Sequence, residues 1–142
     1  MKTERRIFLL WGVGGLLANF AWEMLQMPLY GKLEGGWWRC AQASLGDVII
    51  LALLYGLMAC AAEDWIWFRR LSRRRLLLLA VLGLLVSTVI ELRALVEGTW
   101  SYAAMPRIPF LGVGWVPVLQ MILIPLGLSW LSRSWVLGRE RK

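Results

Sequence analysis

Four stretches of about 20 predominantly apolar residues divide the chain, roughly Ile7 to Met27, Ala43 to Ala62, Leu76 to Leu95 and Pro109 to Leu131. That is the length a helix needs to cross the hydrocarbon core of a bilayer. A backbone in lipid must satisfy its own hydrogen bonds, so such stretches can only be helices. With 59% hydrophobic residues and a mean hydropathy of +0.62, the chain is too apolar to cover a water-facing surface. The expectation is an all-α protein, an integral membrane four-helix bundle forming one domain over residues 1–142. Pro117 and Pro125 fall in the fourth stretch and predict a kink there.

The net charge of +7 is placed as a membrane places it, not as nucleic-acid binding would. Most of the 16 Lys and Arg lie at the N-terminus (Lys2, Arg5, Arg6), between the second and third stretches (Arg69, Arg70, Arg73, Arg74, Arg75) and in the tail (Arg133, Arg139, Arg141, Lys142). By the positive-inside rule both termini and the middle loop are cytoplasmic, as in a multi-pass protein of the bacterial inner membrane. The first stretch carries Asn19, Glu23 and Gln26 and no small-x-small site follows it, so it is expected to be a retained span and not a cleaved signal. Cys40 and Cys60 belong to opposite membrane faces and are not expected to pair. The absence of His removes His-ligated zinc or haem and His-based acid/base chemistry.

Within the apolar stretches the polar residues are few. Asn19, Glu23 and Gln26 recur at i, i+4 and i+7 and share one helical face. Asp47 falls about one turn inside the second stretch, where it is either part of a site or an acid favoured by the helix dipole. Ser87, Thr88 and Glu91 cluster near the end of the third, and Gln120 sits in the fourth. On the expected topology all of these lie toward the outer face. Tyr30, Trp37, Trp38, Trp65, Trp67 and Phe68 fall where interfacial belts form. Glu34-Gly35-x-Trp37 echoes Glu97-Gly98-x-Trp100, as in a duplicated two-helix unit.

Intramembrane acids cost several kcal/mol when unpaired and are functional-site candidates by default. Asn19, Ser87 and Thr88 serve as well as interhelical hydrogen-bond partners, each worth about a kcal/mol. Glu23, Glu91 and Asp47 are the candidate catalytic residues. Carboxylates crowded in a low dielectric cannot all be charged cheaply, so one is expected to keep its proton and act as an acid while another acts as base. Gln26, Trp100, Tyr102, Arg107 and Gln120 are the candidate substrate-binding residues; Arg107 is placed to pair with an acid or an anionic head group. No cofactor and no resident metal is expected, although acids and amides of this kind also suit magnesium or calcium.

W-E-x-x-Q-x-P-L-Y at Trp22 to Tyr30, A-S-L-G-D at Ala43 to Asp47, and E-x-x-x-x-x-x-G-x-W-S-Y-x-x-M-P-x-x-P at Glu91 to Pro109 resemble a group of small bacterial four-span membrane proteins. More distantly, an acid followed by G-x-W-x-Y and prolines is similar to the pattern of membrane carotenoid hydratases and the heterodimeric type of lycopene cyclase. That resemblance implies protonation of a polyene by membrane-embedded acids, with Glu91 as donor and Trp100 and Tyr102 beside the substrate. The chain departs from the cyclases in having V-P-V-L-Q after the prolines where they carry paired Glu. The function expected is acid/base catalysis on a lipid-phase substrate, an isoprenoid or another membrane lipid. The alternative is a non-enzymatic small subunit, or an ion or small-molecule binding or transport element, assembled as a homo-oligomer or within a larger membrane complex. No nucleic-acid partner is expected.

Overall fold

The computed structural model describes residues 2–31 and 36–140. The described chain is all-helical: α1 (Lys2–Leu9), a π-helical turn (Leu10–Gly14), α2 (Gly15–Gln26), a 3-10 turn (Met27–Leu29), α3 (Gly36–Ala62), a 3-10 turn (Trp67–Arg70), α4 (Arg73–Val96) and α5 (Trp115–Glu140). Four helices are long and apolar enough to cross a membrane: Glu4–Leu29, which runs continuously through α1, the π turn and α2, then Gly36–Ala62, Arg73–Val96 and Trp115–Gly138. Glu34 and Gly35 of the expected repeat lie outside the described residues.

The π turn has a cause in the sequence. In the first long helix Ile7, Trp11, Gly15 and Asn19 are all buried, a strict step of four. In an α-helix four residues overshoot a full turn by about 40°, so three such steps would carry Asn19 well off the face that Ile7 occupies. The wider turn at Leu10–Gly14 takes up that drift and keeps the whole stripe inside the bundle.

Helix boundaries differ from the hydropathy pattern at two places. α3 begins at Gly36, seven residues before Ala43, because the pair Trp37 and Trp38 and the polar Arg39 and Gln42 are helical although not part of the apolar run. Asp47 therefore lies three turns inside the helix, and stabilisation at a helix start does not explain it. α5 begins at Trp115; Pro109 to Gly114 form a loop in which Phe110 and Gly112 have φ of 71° and 72°. Pro117 consequently falls in the first turn, where its missing N–H would have had no partner, and only Pro125 lies in the helix interior. Pro125 frees the carbonyl of Met121, and Gly83 of α4 packs so closely on that carbonyl that a Cβ would collide with it. α4 starts at Ser72, whose hydroxyl accepts from Arg75 N at 3.3 Å. It ends in a Schellman arrangement, Thr99 N to Ala94 O at 2.9 Å and Gly98 N to Leu95 O at 3.3 Å with Gly98 at φ 67°.

At the end of the bundle that carries the start of α1 and the end of α5 the core is filled by aromatic and aliphatic side chains, with a groove of about 770 Å³ left on the surface between α1 and α5. Trp11, Tyr55, Trp67 and Phe68 stack edge to face with Leu51, Leu54, Met58, Leu79 and Leu128. Trp67 and Phe68, expected in an interfacial belt, are fully buried, since the turn that bears them folds against α5; only Trp65 stays exposed. The Arg75 guanidinium donates to the carbonyls of Trp67 (2.7 Å) and Arg70 (3.1 Å), and Trp11 Nε1 donates to Ser132 Oγ at 3.0 Å. The opposite end is polar and holds a cavity.

Candidate functional site: a carboxylate-lined cavity

α2, α3 and α5 are joined at the opposite end by side-chain amides. Gln26 Nε2 donates to Glu23 Oε1 at 2.8 Å and to Gln120 Oε1 at 3.2 Å. Gln120 Nε2 donates to Asp47 Oδ2 and to Asn19 Oδ1, each at 2.9 Å. Asn19 in turn donates to Gly15 O at 2.9 Å. Gln26, Gln120 and Asn19 are buried. The chain of amides therefore ends on three acceptors: the carboxylates of Glu23 and Asp47 and the backbone carbonyl of Gly15.

Glu91 of α4 is held separately. Its Oε2 accepts from Trp100 Nε1 at 3.3 Å and from the Tyr102 hydroxyl, while Gly114 N donates back to that hydroxyl at 2.8 Å. Trp100 and Tyr102 belong to the loop after α4, which is stitched to the end of the first long helix: Gly31 N to Ser101 O at 2.8 Å, and Ala103 N and Ala104 N to Leu29 O at 3.0 and 3.1 Å. Tyr30 packs at right angles on Trp100, ring centroids 6.0 Å apart, and tilted against Tyr102 at 5.7 Å. A Cβ at Gly31 would meet the Ser101 hydroxyl, so a larger residue there fits only if that hydroxyl rotates away. Burial, then the hydrogen bond to Glu91, holds the Tyr102 phenol above its ordinary range, against the opposing Gly114 N–H. Burial, then the nearby charges of Glu91 and Glu23, does the same to Tyr30. Both remain neutral donors at physiological pH.

Between these two groups lies a cavity of about 330 Å³, lined by Glu23, Asp47 and Glu91 together with Gln120, Trp100, Tyr30 and apolar side chains. That volume is at the lower end of small-ligand sites. Among the described residues no Lys or Arg forms an ion pair with any of the three acids. No three described Asp, Glu or Cys side chains converge closely enough to hold a metal ion. Ala43 and Gly46 of α3 and Ile90 of α4 line the cavity and are also exposed, and a Cβ on Gly46 would meet nothing within 4 Å. The cavity thus opens sideways between α3 and α4, which touch far less than α4 and α5 do.

Of the residues expected from sequence, Glu23, Asp47, Glu91, Trp100 and Gln120 line the cavity. Gln26 is buried behind it as the bridge between α2 and α5, and Tyr102 stands behind Glu91. Arg107, expected to pair with an acid or a head group, is exposed and lies over the Tyr102 ring, 5.3 Å from its centroid. Ser87 lines the cavity while donating to Pro117 O at 3.1 Å. Arg39, Met27 and Cys40 line it without having been anticipated. The signal for Arg39 was a cation spaced about one, two and three turns before Ala43, Asp47 and Ile50, visible only once α3 is known to start at Gly36.

The fold and site define an all-helical protein with four helices apolar enough for a membrane and one carboxylate-lined cavity near one end. Comparison of the chain with protein-family profiles, curated proteins and solved structures gave no match.

Proposed function

We propose that the chain is a multi-pass protein of the bacterial inner membrane, both termini cytoplasmic, which performs acid/base chemistry on a lipid-phase substrate, an isoprenoid or another membrane lipid. The observation that carries this is the convergence of Glu23, Asp47 and Glu91, from three different helices, on one cavity where no described Lys or Arg forms an ion pair with them, although Arg39 lines the same space. Each unpaired intramembrane acid costs several kcal/mol, whereas an amide would join the helices for about one kcal/mol of gain and no such penalty. Three acids in that position are better explained by use than by stability. The sideways mouth between α3 and α4 suits a substrate arriving from lipid.

The hydrogen bonds favour distinct roles. Glu91 Oε2 is occupied by two donors, one of them an indole that can only donate. That arrangement, with Tyr30 also within hydrogen-bonding reach of the carboxylate, orients Glu91 for the role of base. Glu23, which faces the neutral side-chain amides of Gln26 and Gln120, is suited to deliver a proton. The carotenoid-hydratase resemblance assigns donation to Glu91 instead; both assignments make Glu91 indispensable. Glu91→Gln keeps the shape and is expected to lower turnover by about 10²–10⁴-fold. The check is the membrane lipid and isoprenoid profile of a deletion strain, complemented with the parent or with Glu91→Gln. Accumulation of one precursor in the deletion and in the Glu91→Gln strain is expected, and profiles indistinguishable from the parent in both would refute the proposal.

A through-pathway for ions or protons is disfavoured by the Trp11, Tyr55, Trp67 and Phe68 packing that fills the other end.

A further inference from the structure

Among the described residues that line the carboxylate cavity, Arg39 is the one cation. It is half-buried, and among the described residues it makes neither an ion pair nor a hydrogen bond, although three carboxylates line the same space. Its position is not one that helix stability selects: a cation in the first turn opposes the helix dipole by a few tenths of a kcal/mol. Nor does it turn outward as its neighbours do, since Trp37 and Trp38 are exposed while Arg39 faces the cavity. On α3 it heads a stripe with Cys40, Ala43, Asp47 and Ile50, the spacing of one helical face. Along that stripe Asp47 lies eight residues on, about 12 Å of helical rise.

We infer that the ligand of this cavity is a lipid with an anionic phosphate or carboxylate head, bound by the Arg39 guanidinium, with its chain running down α3 past Asp47. The inference rests on the proposal that the cavity receives a lipid-phase substrate. Guanidinium forms paired, charge-assisted hydrogen bonds with such heads. The apolar walls, Met27, Ala43, Ile50, Ile90 and Met121, accept the chain. The separation of Arg39 from Asp47 leaves the chain, and not the head, beside that acid.

The test is native mass spectrometry of the full-length protein in detergent, titrated with lipids matched in chain and differing in head: phosphatidylglycerol against phosphatidylcholine, and a polyprenyl monophosphate against the corresponding polyprenol. The anionic member of at least one pair should bind roughly tenfold or more tightly, the worth of one charge-assisted contact. Which pair discriminates identifies the source, phospholipid or isoprenoid. Arg39→Gln should erase the difference, Arg39→Lys should restore part of it, and Arg107→Gln, outside the cavity, should leave it intact. Glu91→Gln should retain the preference while losing turnover, so that failure of head-group recognition is distinguishable from failure of the acid/base chemistry. Equal binding within both pairs, or a preference that survives in folded Arg39→Gln, overturns the inference; if Arg39→Gln does not fold, Arg39→Lys with the unchanged binding of Arg107→Gln carries the comparison, and no loss of preference in Arg39→Lys at all overturns it.

Discussion

Tyr102 carries more of the site than its half-buried position suggests, because its hydroxyl is used twice, donating to Glu91 and accepting from Gly114. Tyr102→Phe leaves the Gly114 N–H without its partner and removes one donor from Glu91, a loss of about 1–3 kcal/mol. The same phenol and that of Tyr30 give the protein an alkaline limit. Both are held above their ordinary value of about 10 by burial first and by Glu91 second. Unfolded tyrosines ionise first as pH rises, so this part of the stability is fully present below about pH 10 and is lost above it. Thermal unfolding in detergent from about pH 7 to about pH 11 should fall steeply at the top of the range, and less steeply in a Tyr30→Phe/Tyr102→Phe double variant. An equally steep fall in that variant removes the phenols as its cause. The acids of the cavity were legible in the sequence because a carboxylate in an apolar run has few other reasons to be there. Arg39 was not, since a hydropathy window discards the polar turn from which α3 starts, and Gln26 was legible as buried but not as a bridge, because its partner Gln120 is remote in the chain.

At the level of single elements, the first long helix shows what a periodicity argument can and cannot deliver. The stripe of Asn19, Glu23 and Gln26 was readable from spacing within α2. The wider turn before it was not, because it answers to the alignment of Ile7 and Trp11 with Gly15 and Asn19 across the junction. Removing Val13, an exposed residue of that turn, converts the buried steps of four into i, i+4, i+7 and i+11, which an ordinary α-helix keeps on one face. Deleting Leu17, exposed in α2, instead rotates Asn19 and Glu23 by about 100° relative to Gly15. Size-exclusion profiles and melting of the two purified deletions should therefore diverge, with the Val13 deletion monodisperse and near the parent and the Leu17 deletion aggregated or strongly destabilised. Similar behaviour of the two would remove the alignment argument. α5 was misjudged at its start for a simpler reason: Pro109 to Gly114 are apolar or small, yet the restricted backbone of Pro109 and two positive-φ residues, Phe110 and Gly112, make them a loop.

Across the whole molecule, an all-helical bundle of four long apolar helices was readable from run length alone, and the structure has it. The division of labour between the ends was not, because Trp67 and Phe68 look alike in sequence whether they lie in a belt or in a core. The core of one end is filled by aromatic packing and the other end is roofed by the loop fastened at Leu29 and Gly31, so on the proposed function a lipid-phase substrate would enter by the gap between α3 and α4. A reactant admitted through a flank of the protein is never drawn from solution, and what the protein senses is its mole fraction in the surrounding film of lipid. Adding buffer to proteoliposomes should then leave turnover per protein unchanged, while blending inert phospholipid into the same vesicles should slow it in proportion; the reverse pattern would mean that traffic passes through the roof.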